Sequence, residues 1–206
     1  FDPIHLGHLS LAAQAISMAN LDTLLLCPAF HAPLRSEKPF FSPKTRLKIL
    51  EHIAKVTPKV EVCRLEIEKQ KTCFTYNTIT EIQSQYPESE IMLLLGADQF
   101  EHLTRWKFNL ELVQICQFLV FSRSKVEITP PNISGLSYQL MQNDLLDYSS
   151  TEIRNRIKTG QNFKHLLMQL NPFYHFYHGL NPLKKINFKQ KTAYEYVTEF
   201  RRVLFR

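Results

Sequence analysis

Short apolar runs alternate with longer stretches of helical periodicity along the first 122 residues of the chain. The runs predict strands at residues 21–27, 60–65, 91–95 and 118–122, and the periodic stretches predict helices at 9–19, 44–56, 75–86 and 101–112. The runs 24–27, 91–95 and 118–121 are continuously apolar, which is typical of strands that helices cover on both faces, whereas 60–65 alternates. The alternation therefore predicts an α/β fold built on a parallel sheet with helices on both faces.

Turn-forming and polar motifs follow the predicted strands. They are the loop that begins at Pro28, the sequence Gly96-Ala97-Asp98 and the pair Ser122-Arg123. A fourth motif, residues 1–8, comes directly before the first predicted helix. In parallel α/β sheets, ligands bind beyond the carboxyl ends of the strands. We therefore expect these motifs to meet in one site at that edge of the sheet.

The first eight residues place two histidines three positions apart. They read Phe1-Asp2-Pro3-Ile4-His5-Leu6-Gly7-His8. Imidazole groups can donate hydrogen bonds to phosphoryl oxygens, and the following helix adds unpaired N–H groups and a positive dipole end. Gly7 lets a nucleotide lie close to the backbone. The octet predicts a phosphate-binding turn; zinc is the alternative, although no third ligand follows at a motif spacing.

A second histidine pair has the same spacing and serves as an internal comparison. His175 and His178 lie in or beside the aromatic stretch 173–177. Packing or surface exposure is the expected role of that pair, because it has no Asp-Pro before it, no glycine between its histidines and no predicted helix after it. The spacing alone therefore carries little information, and the context of His5 and His8 distinguishes them.

Composition narrows the class of protein. The 206 residues, of which 44% are hydrophobic, suffice for one domain with a real core. A net charge of +6 suits nucleic acid, a membrane surface or small anions, yet no nucleic-acid-binding module is visible and no apolar run approaches the ~20 residues of a membrane helix. The four cysteines form no C-x-x-C pair and show no zinc spacing, which favours reduced thiols in the cytoplasm.

The octet resembles the signature of the H-x-G-H nucleotidylyltransferases. Three later motifs resemble, in order, those of bacterial nicotinate-mononucleotide adenylyltransferases: residues 73–78, Gly96-Ala97-Asp98 with Trp106, and residues 149–154. The similarity runs from Phe1 to about residue 180. The H-L-G-H core also resembles class I aminoacyl-tRNA synthetases, but those need a far longer chain and a second, lysine-rich loop.

This resemblance implies a Rossmann-like fold and a specific reaction. A nucleotidylyltransferase domain would span residues 1–180, and residues 181–206 would be an extension of unknown role. The implied reaction transfers the adenylyl group of ATP to nicotinate mononucleotide in NAD biosynthesis, with Mg²⁺ bridging the ATP phosphates. The implied enzyme is cytoplasmic, binds neither nucleic acid nor membrane, and could form a homo-oligomer.

The resemblance also assigns roles to individual residues. The implied catalytic residues are His5, His8 and Arg154. The implied ATP-binding residues are Phe1, Asp2, Gly7, Gly96, Asp98, Arg123, Ser150 and Thr151. The implied mononucleotide-binding residues are Arg35, Thr75, Asn77, Trp106 and Lys107, with Trp106 stacking on the pyridine ring.

Most of these residues also have ordinary structural explanations. The cluster Ser149-Ser150-Thr151 is a typical helix N-cap with Glu152 close behind it. Trp106 is the only tryptophan and suits a core position, and Asp98 suits a turn. The resemblance favours the functional interpretation, in which Arg154 and the start of its helix bind phosphate.

The sequence departs from the family pattern at several positions. Leu34 and Arg35 stand where the family has His-Lys, Asn77 replaces an aspartate, and Tyr148 replaces an isoleucine. These departures bear on rate and substrate choice more than on fold. The family also has a strand and a glycine turn before Phe1. We expect the chain without them to have an unpaired sheet centre and to be inactive or unstable.

Three other functions remain open from the sequence. A sister transferase that uses phosphopantetheine or glycerol phosphate shares the octet but should lack Trp106 and residues 149–154. A noncatalytic nucleotide-binding relative would account for Leu34 and Asn77 and would bind ATP without turnover. A nucleic-acid-binding protein would account for the charge and would show strongly salt-dependent binding.

Overall fold

One sheet of six strands runs through the computed structural model, which describes residues 1–122, 127–142, 148–166 and 202–205. The strands are β1 (Thr23–Leu26), β2 (Val60–Val62), β3 (Ile91–Gly96), β4 (Gln117–Phe121), β5 (Tyr138–Met141) and β6 (Arg202–Phe205). Their order across the sheet is β2-β1-β6-β3-β4-β5. The pairs β1–β2, β3–β4 and β4–β5 are parallel, which confirms the predicted α/β fold with a parallel sheet.

Helices connect the parallel strands. They are α1 (Leu6–Met18), α2 (Pro43–Val56), α3 (Leu65–Lys69), α4 (Thr75–Gln85), α5 (Ala97–Glu101), α6 (Asn109–Ile115) and α7 (Ser150–Thr159), with 3₁₀ turns at Leu103–Arg105 and Lys164–Leu166. α2 begins as its sequence predicts: Ser42 Oγ accepts a hydrogen bond from Thr45 N–H at 3.1 Å, and Pro43 occupies the first turn.

Successive strand residues enter opposite hydrophobic cores. In β1, Leu24 and Leu26 join the core that holds α1, α2 and α7, whereas Leu25 joins the core that holds α4 and α6. Met92 and Leu94 of β3 likewise face the first core. Because a strand alternates its side chains between faces, a sheet covered on both faces requires apolar residues at every position. This requirement explains the continuous apolar runs in the sequence.

β6 lies between β1 and β3 and runs antiparallel to both. We expected the centre of the sheet to lack a partner strand. In the structure Leu204 pairs with Leu24 on one side and with Met92 on the other. The facing edges of β1 and β3 carry N–H and C=O groups that any extended segment can satisfy, so the pairing needs no particular side-chain pattern in β6.

The single helix predicted over residues 101–112 is wrong. α5 ends at Glu101, a 3₁₀ turn follows, and α6 begins only at Asn109. Phe108 lies in the left-handed region with φ 62°, a conformation that no helix interior tolerates. The Asn109 side chain holds this break, because its Nδ2 donates to Trp106 O at 2.8 Å and to Thr104 O at 3.2 Å.

One predicted strand is too long, and the edge strand was not predicted. The predicted strand at 60–65 ends at Val62, because Arg64 is helical and caps α3. β5 had no prediction; it is the edge strand of the sheet, and three of its four residues are exposed. An edge strand with only Met141 buried lacks the apolar run that identifies central strands.

The helices of the described ranges are short. None of them combines the length and the apolar content that crossing a membrane requires.

Candidate active site

His5 and His8 lie against each other at the start of α1. His5 is the N-cap residue, and its backbone N–H donates to His8 Nδ1 at 3.2 Å. The ring centroids of the two histidines are 3.7 Å apart, and both side chains are buried. The edge of the Phe1 ring packs against His8 with 5.2 Å between ring centroids. These contacts fix both imidazoles at a helix N-terminus, where backbone N–H groups also point toward an anion.

Gly7 makes room for the His5 ring. A Cβ atom at this position would lie 3.2 Å from His5 Nδ1 and Cε1 and 3.2 Å from Tyr148 Cβ. Such contacts are tighter than most side chains accept, and Gly7 is itself buried. The sequence predicted that Gly7 lets a nucleotide approach the backbone. The structure adds that a side chain at this position would crowd the His5 ring and the Tyr148 Cβ.

The N-terminus of α7 lies against the octet. Ser150 Oγ donates to Pro3 O at 2.9 Å, and Arg154 Nη1 donates to Asp2 O at 2.8 Å. Arg154 Nη2 also donates to Thr151 Oγ1 at 2.9 Å. α7 therefore starts beside the start of α1, and two helix N-termini with one guanidinium meet at a single place.

Asp2 connects the octet to the loop that follows β1. Its two carboxylate oxygens accept hydrogen bonds from the backbone N–H groups of Phe40, at 2.8 Å, and Phe41, at 2.9 Å. Asp2 is buried. The carboxylate thus fixes the end of the loop just before α2 begins, and its role toward a nucleotide stays a prediction.

Arg46 is a buried cation that the sequence analysis missed. It is 4% exposed, its Nε donates to Phe41 O at 3.2 Å, and its Nη2 donates to Phe30 O at 3.2 Å. A signal for it exists in the sequence. Arg46 occupies the position on α2 that continues the apolar face formed by Ile49, Leu50 and Ile53, and a charge on such a face indicates a specific partner.

Burial and charge act against each other on two arginines. Desolvation lowers the pKa of Arg46 and of Arg154, while the Asp2 carboxylate raises both and Arg35 lowers both. Guanidinium groups keep their proton at neutral pH even so. Arg35 and Arg154 therefore place positive charge on the same region as the two helix N-termini.

Gly96 and Asp98 lie at the carboxyl end of β3. Gly96 is the N-cap of α5, and Asp98 is in its first turn. A Cβ on Gly96 would lie only 2.5 Å from Asp98 Oδ1. Only glycine therefore allows the Asp98 carboxylate to fold back over the strand end.

Aromatic rings surround Lys107. The Lys107 Nζ lies 4.7 Å from the centroid of the Phe74 ring and 5.1 Å from that of Phe108, both within cation–π range. Phe74 is the N-cap of α4, so Lys107 lies beside the start of that helix, where Thr75 is buried. Asn77, one turn further along, is exposed.

Trp106 is a core residue in this structure. It is 8% exposed and packs in the core on the α4 and α6 face of the sheet. Its Nε1 is buried and has no hydrogen-bond partner among the described residues. An unpaired buried donor is unfavourable, so this indole is the side chain of the region that would gain most from a bound polar group.

Twelve of the predicted residues fall into two groups, whereas Gly96 and Asp98 lie at the end of β3 and Asn77 is exposed on α4. The first holds Phe1, Asp2, His5, Gly7, His8, Arg35, Ser150, Thr151 and Arg154. The second holds Thr75, Trp106 and Lys107. Arg123 lies outside the described residues, as do His175 and His178, so the structure says nothing of their predictions.

Metal ligands do not gather at this site in the part of the chain that the structure describes. Within it, no three His, Cys, Asp or Glu side chains cluster closely enough to hold a metal ion. The zinc alternative for His5 and His8 therefore gains no third ligand from these residues.

Comparison with known proteins identifies the relatives of the chain. The cytidylyltransferase-like family model matches residues 1–156. A probable nicotinate-nucleotide adenylyltransferase of Methylacidiphilum infernorum is 33% identical over 169 residues, which are 82% of each chain. Another, of Opitutus terrae, is 33% identical over 159 residues, or 77% of this chain and 82% of the relative.

A solved structure shares the fold. The nicotinic acid mononucleotide adenylyltransferase of Plasmodium falciparum, complexed with NaAD, aligns with a TM-score of 0.67. The alignment covers 87% of this chain and 92% of that one, at 19% sequence identity. At this identity the match concerns the arrangement of the strands and helices alone.

Proposed function

Because the chain belongs to the cytidylyltransferase-like family, together with the nicotinate-nucleotide adenylyltransferases, we propose that it transfers the adenylyl group of ATP to nicotinate mononucleotide. A phosphate oxygen of the mononucleotide attacks the α-phosphorus of ATP. The bond from that phosphorus to the bridging oxygen breaks, and pyrophosphate leaves. The attacking phosphate is ionised at neutral pH, so the enzyme mainly aligns the reactants and stabilises the transition-state charge.

The observation that carries this proposal is the contact between α7 and the octet. Ser150 Oγ donates a hydrogen bond to Pro3 O at 2.9 Å, and Arg154 Nη1 donates one to Asp2 O at 2.8 Å. This contact brings two helix N-termini and a guanidinium to one place, which suits a triphosphate. We assign the departing pyrophosphate to Arg154 and to Ser150 and Thr151 at the start of α7.

His8 has a defined hydrogen-bonding state in this arrangement. Its Nδ1 accepts the His5 backbone N–H, so the proton of the neutral ring is on Nε2. His8 therefore offers an Nε2–H donor in either protonation state. We assign this donor to the phosphate chain of ATP, with His5 beside it and His8 nearer the transferring phosphorus.

Mg²⁺ would act at this site through the substrate. It prefers oxygen ligands and commonly binds substrate phosphates, and the neighbouring Asp2 carboxylate already accepts the N–H groups of Phe40 and Phe41. The residues fit an ion held mainly by ATP phosphate oxygens. When bound there, it would neutralise part of the phosphate charge.

We assign the nicotinate end to Thr75, Trp106 and Lys107. The Lys107 cation and the N–H groups at the start of α4 would attract the nicotinate carboxylate more than the corresponding amide. Trp106 would contact the pyridine ring, and Arg35 and Asn77 would contact the mononucleotide. Asp98 and Gly96 would contact the ATP nucleoside.

A substrate panel tests the reaction. The full chain is incubated with ATP and Mg²⁺ and with nicotinate mononucleotide, nicotinamide mononucleotide or phosphopantetheine, and pyrophosphate release is measured. We expect the highest kcat/KM with nicotinate mononucleotide. Release with phosphopantetheine alone would contradict the proposal. ATP binding without release in any mixture would favour a noncatalytic relative.

Two substitutions of His8 separate its chemical role from its structural role. Asparagine can replace Nδ1 as the acceptor of the His5 N–H but has no group at the Nε2 position; glutamine places a donor near Nε2 and loses the Nδ1 acceptor. We expect His8→Asn to lower kcat by about 100-fold, as losses of single transition-state donors do, with mononucleotide binding and thermal unfolding little changed. Wild-type kcat in this variant would contradict the assignment, and His8→Gln is expected to retain more activity.

A further inference from the structure

Cys27 and Cys63 directly follow two neighbouring parallel strands. Leu26 of β1 pairs with Val62 of β2, so the two cysteines are the next residues in the same register. Cys63 N–H donates to Leu26 O at 3.1 Å, which continues the ladder to that point. Neighbouring strands lie about 4.8 Å apart, and Cα separations of about 4.4–6.8 Å accommodate a disulfide.

The two thiols contact each other. A side-chain hydrogen bond from Cys27 lowers the pKa of Cys63, and the backbone at Leu65 adds to that effect. Burial and the carboxylates of Glu66 and Glu81 act in the opposite direction, and the net direction is downward. A lowered thiol pKa raises the fraction of the reactive thiolate.

The pair is asymmetric in access. Cys27 is 3% exposed, whereas Cys63 is only half-buried and packs against the core that contains Cys27. The Cys63 thiol is therefore accessible to a reagent in solution, and the Cys27 thiol is buried next to it. This is the arrangement of an attacking thiol and a resolving thiol.

The other two cysteines lack this arrangement. The thiol of Cys73 bonds to Lys71 O and that of Cys116 to Leu112 O. Burial raises the pKa of Cys116 to about 12. Cys116 thus provides an internal control, because it is a buried thiol of the same core that has almost no thiolate at neutral pH.

We propose that Cys27 and Cys63 form a redox-active thiol pair that reacts with small disulfides such as glutathione disulfide. The Cys63 thiolate attacks the small disulfide, forms a mixed disulfide and releases one thiolate. Cys27, after losing its proton to solvent, attacks the Cys63 sulfur, forms the Cys27–Cys63 disulfide and releases the second thiolate. Two protein thiols are oxidised and one small disulfide is reduced to two thiols.

The cysteine pair is separate from the residues assigned to phosphate, but Cys27 directly precedes the loop that Asp2 and Arg46 hold. Cys27 precedes the loop of residues 28–42, which Arg46 holds at Phe30 O and Asp2 holds at Phe40 N–H. A disulfide at the start of this loop would fix it to β2. The proposal concerns the thiol chemistry and does not depend on which reaction the enzyme catalyses.

Peptide mapping tests the proposal on the full chain. The protein is incubated with glutathione disulfide, alkylated and digested without reduction. We expect a linked peptide pair that contains Cys27 and Cys63. In the Cys27→Ser variant we expect a stable mixed disulfide with glutathione on Cys63, and in Cys116→Ser the Cys27–Cys63 link should persist. A native chain that gives no such link would overturn the proposal.

A second measurement needs no substitution and so does not depend on variant folding. Iodoacetamide alkylation of the native protein is followed cysteine by cysteine over a range of pH. We expect Cys63 to react at least about tenfold faster than Cys116 near neutral pH, because its thiolate fraction is larger. Equal rates at these two positions would overturn the assignment of Cys63 as the attacking thiol.

Discussion

Gly7 shows how a missing side chain can leave room for a neighbouring ring. The His5 ring and the Tyr148 Cβ would lie 3.2 Å from a Cβ at this position. Both neighbours are themselves confined, since His5 packs on His8 and Tyr148 packs against the first hydrophobic core. A methyl group here must move the imidazole, because the helix backbone cannot move as easily.

We therefore expect Gly7→Ala to reduce activity more than stability. Helix propensity favours alanine by about 1 kcal/mol, and the crowding costs about 1–3 kcal/mol, so the free energy of unfolding should change by less than about 2 kcal/mol. Displacement of His5 should lower kcat at least about tenfold. Urea unfolding and steady-state kinetics measure the two effects. The double variant with Tyr148→Gly, which removes the Tyr148 Cβ, should regain part of the kcat; no recovery would contradict the steric explanation.

The buried thiol of Cys116 should make the free energy of unfolding fall at alkaline pH. Burial raises the pKa of its thiol from an ordinary value of 9.0 to about 12. Above pH 9 the unfolded chain releases this proton and the folded chain does not, so stability falls as pH rises between these two values. The slope for one proton is about 1.4 kcal/mol per pH unit.

A comparison of wild type with Cys116→Ala isolates this effect. Urea unfolding at about pH 8 and about pH 10 should show that the wild type loses roughly 1 kcal/mol more than the variant. Other groups that titrate in this range are common to both proteins and cancel in the difference. Equal losses in the two proteins would show that Cys116 ionises as freely in the folded state as in the unfolded state.

Residue types at the site were predictable, but their contacts were not. The sequence indicates that His5, His8 and Arg154 act on phosphate, and the structure brings them to adjoining helix starts. The sequence could not indicate that the Asp2 carboxylate accepts the backbone N–H groups of Phe40 and Phe41, because those residues lie 38 and 39 positions further along the chain. Such long-range backbone contacts have no local pattern.

At the scale of elements, two adjacent serines at the start of α7 have different tasks. Ser149 Oγ caps its own helix by accepting Thr151 N–H at 3.2 Å. Ser150 Oγ instead donates to Pro3 O and so holds the helix against the octet. One serine stabilises an element, and the other positions that element relative to the site.

The pair Ser149→Ala and Ser150→Ala tests this division. Loss of an N-cap costs about 1 kcal/mol, so Ser149→Ala should lower the free energy of unfolding by that amount with a small change in kcat. Ser150→Ala should raise the KM for ATP or lower kcat several-fold at a similar stability cost, since Pro3 O loses its partner. Thermal melts and kinetics compare them. Identical kinetic effects in the two variants would contradict the distinction.

The start of α2 and the buried parallel strands β1, β3 and β4 were the most predictable elements. Ser42 and Pro43 mark α2 correctly because capping chemistry is local. The break between α5 and α6 was not predictable, since residues 101–112 keep helical periodicity through it. It depends on the left-handed Phe108, whose ring packs against Phe74 and Tyr76 of α4. A tertiary contact there overrides a local pattern.

At the scale of the whole molecule, charge affects binding more than stability. Each of the three ion pairs within the described ranges has at least one partly exposed member: Arg64–Glu51, Lys69–Glu81 and Arg156–Glu152. Exposed pairs contribute little and salt screens them. The net charge of +6, in contrast, attracts anionic substrates over longer distances.

Raising NaCl from about 0.05 M to about 0.5 M should therefore affect substrate binding and leave stability nearly unchanged. We expect the free energy of unfolding to change by less than about 1 kcal/mol and the KM for ATP to rise several-fold. Urea unfolding and kinetics at constant pH, with a neutral osmolyte of equal osmolarity as the control, measure both. A KM that does not respond to salt would show that net charge plays no part in substrate capture.

The positions of strands in the sheet were only partly predictable. The parallel pairs follow from apolar runs and helical connections. β5 carries no such signal, and β6 has only the three consecutive apolar residues 203–205. A strand can enter a sheet through backbone hydrogen bonds even where its sequence signal is this weak. The sequence therefore predicts the strands whose side chains fill the two hydrophobic cores. It does not predict β5 and β6, which join the sheet through backbone hydrogen bonds.

The contact between α7 and the octet has a consequence for the order of folding. Its two hydrogen bonds join residues 147 and 152 positions apart in the chain. Closing so long a loop is entropically costly, and contacts of this separation slow folding. During synthesis the histidine turn emerges well before α7, so it gains its partner helix only after β1 to β5 have been made. A chain synthesised only as far as β5 would already contain residues of both hydrophobic cores, while the central strand β6 and the contact between α7 and the octet were still missing.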